Sequence, residues 1–391
     1  VETGSTMTAV AGNGYPINTT SNTCTITLPA SASNGDELMF TDYARTWGTY
    51  KIIIDSNGLN YQTNADTQDI EYETDGQTLH IVYSDATTGW IPTLDEAVAD
   101  VPTKGNSQGI LAYGYVSGAV SISNLVSTSG VVSSDVSGVG SARWANAGTQ
   151  YGGDKGIFAY GYSPALGQSS LSNLVSNTGV VASDVTGVGT GRSSLGACSY
   201  GGDKGIFSYG NISLGNVSNL VSNTGVVATD VSNAGTATQY PGACEYGTDT
   251  AIFAFGTPSG GGYTNVSHLV SNLGVIGSDV TGVGTARYAS CGATYGFDKG
   301  LMWGGDSPVT NIFNLISSSG VVATDSTGVG TARSYAGACE YLGGNAIIVY
   351  GANVSSVNQQ MSNLISTVGV VSTDVSGVGS ARQAVAGCSF A

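Results

Sequence analysis

The chain has 391 residues, a net charge of -16 and charged side chains at only 10% of positions, with 59 glycines and 21 tyrosines. An acidic balance without a run of Lys or Arg lacks the counterion-releasing surface that nucleic acid requires, and no stretch nears the roughly 20 consecutive apolar residues of a membrane-spanning helix, so neither nucleic-acid binding nor membrane insertion is expected. Sparse charge with abundant Gly, Ser, Thr, Val and Tyr predicts an all-β fold of short strands and tight turns.

The sequence opens on Val1 without the basic and apolar regions of a signal peptide, which points to a processed chain or a portion of a longer one. Residues 1–93 alternate and turn as a small antiparallel β domain: "TMTAVAGNGYPINTT" (6–20), "TCTITLPASASNGDELMFTDY" (23–43), "YKIIIDSNG" (50–58) and "DIEYETDGQTLHIVYSDATTGW" (69–90). "SNG" and "TDG" are read as hairpin turns. The acidic stretch 94–108, which contains Pro102, reads as a linker.

From residue 109 onward the chain repeats. Leu125, Leu174, Leu220, Leu269, Leu315 and Leu364 mark six copies, separated by 49, 46, 49, 46 and 49 residues. Each copy carries four short apolar pieces, exemplified in order by "ACSYGG", "GIFAYG", "SNLVS" and "GVVASD". Four strands in a repeat of that length is the arithmetic of a β-propeller blade. The first copy opens on its second strand, at 109–115, while the chain ends on a first strand near 383–390 with no successor. Pairing the two would remove two exposed sheet edges, so 109–391 is expected to form a six-bladed propeller closed by the C-terminal strand. Cys198, Cys244, Cys339 and Cys388 share one repeat position, a repeat unit apart, and are therefore read as buried thiols rather than disulfide partners.

Two resemblances follow from these motifs. An Arg before the first strand, a Gly-rich turn, "hydrophobic-Tyr-Gly" on the second strand and Asp at the end of the fourth resemble the kelch class of propeller, with "YG" where kelch repeats have "GG" except at Gly304-Gly305. The ordered series "AVAGNGY", "TLPASASNGD", "FTDYARTWGT" and "VYSDATTGW" resembles a module of tailed-bacteriophage fibre and other virion proteins, departing from it at Arg45-Thr46-Trp47. The resemblance implies a virion structural protein, a tail or head fibre or spike made in the host cytoplasm. Its first domain would serve assembly with other virion proteins and with itself as a homotrimer.

In an antiparallel four-stranded blade, the loops after the second strand and the connections after the fourth share one face. Those segments differ from copy to copy, whereas the turns of the opposite face are nearly identical. Divergence on a common scaffold marks the recognition face, which the entry point of the linker aims away from the first domain. Its connections carry Trp144, Tyr240, Tyr288 and Tyr335 beside Arg143, Arg287 and Arg333, a set suited to a host cell-surface glycan or protein. Packing between blades is the competing role for each aromatic residue. Asp135, Asp184, Asp230, Asp279, Asp325 and Asp374 recur eight residues before an Arg, with Thr238 the exception, and are read as turn caps or inter-blade ion pairs.

No catalytic residues, metal site or cofactor are expected, since His80 and His268 are the only histidines and neither belongs to a triad or metal-ligand pattern. Glu245 and Glu340 alone could supply the paired carboxylates of a glycan hydrolase. The alternatives to a receptor-binding fibre are accordingly a capsid decoration protein and a polysaccharide depolymerase.

Overall fold

Residues 1–66, 70–97, 107–211 and 216–390 are described by the computed structural model, and every regular element among them is a β-strand. The all-β class follows directly. The chain divides into two units, Val1–Pro102 and Thr103–Ala391.

In the first unit, β1 (Thr6–Thr8), β3 (Cys24–Thr27), β5 (Ile52–Asp55) and β6 (Ile70–Tyr72) form one sheet. The other consists of β2 (Asn13–Ile17), β4 (Glu37–Asp42), β7 (Gln77–Tyr83) and β8 (Trp90–Ala97). The expectation of an antiparallel domain is corrected here: β1 with β3, β3 with β5 and β2 with β4 are parallel pairs. The first five strands are dealt alternately to the two sheets, so each returns to its own sheet only after a crossover and runs alongside its neighbour. For the same reason "SNG" and "TDG" are not hairpins. The first follows β5, whose antiparallel partner β6 begins only at Ile70, and the second separates β6 from β7 in the other sheet. Alternation along β7 turns Leu79, Ile81 and Tyr83 inward, and both sheets share one core with Ile26, Phe40, Ile54, Trp47 and Trp90. The expected linker begins as strand, because β8 runs to Ala97; its residues 98–106 lie outside those described.

Among its described residues the second unit contains six sheets of similar build and a two-stranded ribbon, Tyr162–Ser163 with Gly167–Gln168. A first strand (for example Gly196–Tyr200) pairs antiparallel with a second (Lys204–Ser208), and the second with a third (Val217–Val221). The C-terminal strand Ala386–Phe390 pairs antiparallel with Gln108–Ala112, from Ala386↔Ala112 to Phe390↔Gln108. Each first strand packs on the first strand of the next sheet, and Ala386–Phe390 neighbours both Gly337–Tyr341 and Ala147–Tyr151. Second strands are continuously apolar because both their faces are covered: Ile206 packs with Cys198 of its own sheet, and that cluster includes Phe253 of the next.

The expected fourth strand is mostly reduced to two bridges. In the second repeat they are Val175↔Val181 and Ser172↔Val185, a pairing with one extra residue on the later segment. Between them the Asn173 amide donates to Ala182 O (3.0 Å) and Asp184 Oδ1 (2.9 Å), so a side chain replaces part of the backbone ladder. The third repeat adds a short fourth strand, Val231–Ser232. The four cysteines of the shared position are buried and free, as are Cys24 and Cys291.

Candidate functional site

Six residues, one per repeat, link the connections that precede the first strands. Ala145 N donates to Ala384 O, Ala384 N to Tyr335 O, Tyr335 N to Ala289 O, Ala289 N to Tyr240 O, Tyr240 N to Ser194 O and Ser194 N to Ala145 O, at 2.7–3.2 Å. The circle of hydrogen bonds is closed. All six residues have positive φ, between 51° and 61°, although none is glycine. An L-residue adopts that backbone only where the surrounding structure holds it there, and such positions cluster at functional sites.

Beside this circle lies a cavity of about 660 Å³, lined by Tyr115, Trp144, Tyr240 and Tyr335 together with Asp306, Asn353 and Gln383. Trp144 is half-buried, its ring edge-on to Tyr115 (5.1 Å) and Tyr162 (5.0 Å). Tyr240 and Tyr335 meet edge-on at 5.4 Å, and Tyr288 touches both, at 5.8 and 6.0 Å. Tyr288 donates its hydroxyl to Asp306 Oδ2 (3.2 Å) and carries the exposed ring of Tyr263 stacked on it at 5.2 Å. Burial raises the Tyr288 and Tyr335 phenols above their ordinary value, which keeps them neutral hydrogen-bonding groups. Among the described residues lining this cavity there is one carboxylate, Asp306, and no Lys, Arg or His.

Below the circle the space narrows. A separate cavity of about 90 Å³ has Ala145, Tyr240, Tyr335 and Ala384 in common with the wider mouth and is lined further by Asn146, Leu195, Pro241, Ser290 and Val385. A channel of about 60 Å³ runs among the first strands, where Gln150, Ser199, Glu245, Thr294, Glu340 and Ser389 hold one repeat position. Glu245 is buried there, accepting from Ser199 Oγ (2.6 Å) and Gln150 Nε2 (3.2 Å).

The arginines expected beside the aromatic residues lie elsewhere. Arg143, Arg287 and Arg333 are at most 1% exposed, which removes them from any surface a ligand could touch. Arg143 stacks its guanidinium over the Tyr113 ring (4.1 Å) and donates to Tyr160 O (2.7 Å) and Asn173 Oδ1 (2.6 Å). Its ion-pair partner is Asp184 of the following repeat, at 3.8 Å, rather than Asp135 eight residues before it. Arg287 and Arg333 pair in the same way with Asp325 and Asp374. Desolvation lowers Arg287 to about 10, leaving it charged at neutral pH. Each arginine joins two successive sheets.

Sequence reasoning missed Tyr115, Asp306, Asn353 and Gln383. All belong to the divergent loops and connections, and that divergence was the available signal. It also grouped as one class two successive positions. Trp144 and Tyr288 precede the circle, whereas Tyr240 and Tyr335 belong to it. Of the divergent loops, residues 212–215 lie outside those described. No protein-family model matches the chain, and no curated protein matches it.

Proposed function

We propose that this chain is a virion recognition protein, a phage fibre or spike, in which the six sheets form a kelch-like six-bladed β-propeller whose mouth binds a glycan of the host cell surface. The observation that carries the reading is the aromatic cavity beside the closed hydrogen-bonded circle. Its walls come from segments that differ among otherwise similar repeats, which is how a common scaffold acquires one specific site. Faces and edges of Trp and Tyr with Asn, Gln and Asp between them suit the apolar faces and hydroxyl rims of sugar rings. Cyclic packing of the first strands and the pairing of Ala386–Phe390 with Gln108–Ala112 support the propeller. The first unit, through its resemblance to a virion module, is assigned to assembly as a homotrimer and with other virion proteins.

Binding without cleavage is the favoured chemistry, because Glu245 and Glu340 line a channel too narrow for a sugar ring, far smaller than the mouth above it. The test is binding of the full chain to immobilised bacterial surface polysaccharides, compared with Trp144→Ala, Tyr335→Ala and Gln383→Ala. Saturable binding weakened at least tenfold by these changes, in variants that remain folded, supports the mouth as the site. Binding that survives all three overturns it.

A further inference from the structure

We infer that the mouth selects electrically neutral glycans and that Asp306 sets this preference by accepting hydrogen bonds from sugar hydroxyls; this rests on the glycan-binding reading above. The polar lining of the cavity is almost entirely uncharged. Ser117, Asn353, Ser356 and Gln383 contribute to it from the divergent loops and connections, and Asp306 carries the one charge among the described residues that line it. A glycan bearing carboxylate, sulfate or phosphate would bring a second negative charge into a concave, aromatic-walled space that already holds one, with no cation in that lining to offset it. Like charges brought together in a partly desolvated site repel far more strongly than in open solvent.

Asp306 is arranged to receive donors. Its backbone N–H donates to Tyr288 O (2.8 Å), which ties the loop after a second strand to the connection before a first. Both carboxylate oxygens are held: Oδ1 accepts from Ser307 N (2.6 Å) and Oδ2 from the Tyr288 hydroxyl (3.2 Å). The Tyr288 hydroxyl is also hydrogen-bonded to that of Tyr335. Having given its own proton to Asp306, Tyr288 accepts from Tyr335, so the relay runs toward the carboxylate.

An ionised carboxylate offers about four acceptor sites and no donor. With one on each oxygen taken, the groups that fit what remains are two adjacent hydroxyls of one sugar ring, each giving a charge-assisted bond, while the apolar face of that ring lies against the aromatic wall. Acyl carbonyls, carboxylates and phosphates bring only lone pairs to Asp306. An ammonium also donates, but the Asn, Gln and Ser side chains around Asp306 both give and accept, which suits a ring of hydroxyls better than a cation.

The experiment is calorimetric titration of the full chain with oligosaccharides of three charges: neutral (from dextran, mannan and galactan), anionic (from polygalacturonate and polysialic acid) and cationic (from chitosan). At least one neutral series should bind at least tenfold more tightly than every charged one. Asp306→Asn should weaken the neutral ligand at least tenfold and narrow its advantage over the anionic ones, a ratio that a merely structural role would not move. Asp306→Ser repeats the reading if the asparagine variant fails to fold. Anionic binding as tight as neutral, or an unchanged ratio in both Asp306 variants, with Trp144→Ala still weakening the interaction, would sink the charge selection and leave the mouth intact. Chitosan fragments binding tenfold more tightly than the neutral series would reassign Asp306 to an ammonium and overturn the neutral ligand. Binding indifferent to Trp144→Ala would remove the mouth itself, and the selectivity with it.

Discussion

His268 Nε2 lies 2.9 Å from Asp279 Oδ1 in the repeat where Thr238 stands in place of the arginine found in the other five. Those five arginines each form an ion pair with an aspartate of the next repeat and stack on an aromatic ring, as Arg192 does with Asp230 at 3.9 Å and over Tyr160 at 4.1 Å. Here the imidazole takes both roles: it occupies the strand position held elsewhere by asparagine, reaches the aspartate, and lies 5.2 Å from the Tyr209 ring that no arginine covers. Two departures from the repeat thus compensate each other. Thr238→Arg alone should destabilise the second unit by about 2–4 kcal/mol, because it forces a buried cation against the histidine. His268→Asn alone should cost about 1–3 kcal/mol through a lost ring contact and bond. The double variant restores the common arrangement and should recover most of the loss, giving strong coupling in a denaturant-based double-mutant cycle.

The same histidine makes stability pH-dependent. Burial lowers the His268 pKa below its ordinary 6.5, opposed by the Asp279 bond. The unfolded chain then binds the proton more readily than the folded one, so stability is fully present above pH 6.5 and declines as pH falls through it toward the folded value. Urea unfolding at pH 7.5 and 5.5 should show lower stability at 5.5. In His268→Asn that part of the difference disappears.

A joint between the first sheet, which Ala386–Phe390 completes, and the second can be tested by one methyl group. A Cβ added at Gly156 would collide with Cys388 Sγ, which is buried. Gly156→Ala should therefore destabilise by about 1–3 kcal/mol, and Cys388→Ala should relieve part of that cost in the double variant. Thermal melts of the four proteins check it.

Much of this was legible in the sequence because a repeat imposes its own period. The spacing of Leu125 through Leu364 announces six equivalent units before any strand is assigned. Partnership was less legible. Asp135 stands eight residues before Arg143 in the chain, but the connection between them crosses to the next sheet, so Arg143 meets Asp184 and Asp135 meets Arg382. In the first unit, alternation along β7 reveals which side chains face the core, but not which strand lies alongside, and the parallel pairs had no local signature. Asp306 and Gln383 belong to different repeats, and only the tertiary fold brings them to one cavity.

Arg143 and Trp144 are adjacent in sequence, and their replacement should separate stability from recognition. The Arg143 guanidinium is wholly buried, and its loss strands the Asn173 carbonyl and weakens the setting of Asp184, whose carboxyl is held below its ordinary value because burial, which raises it, is outweighed by bonds from Ser141 and Asn173 and by the arginine's charge. Because Asp184 keeps some contact with solvent, Arg143→Met should cost about 2–4 kcal/mol rather than the larger penalty of a fully buried pair. The fraction that stays folded should bind polysaccharide with unchanged affinity. Trp144→Ala forfeits two edge-on ring contacts, about 1–3 kcal/mol of stability, and should lose affinity even well below its melting temperature. Measuring both quantities on both variants distinguishes a clasp between sheets from a wall of the binding site. If Arg143→Met weakened binding while fully folded, the guanidinium would have to be reassigned to the ligand.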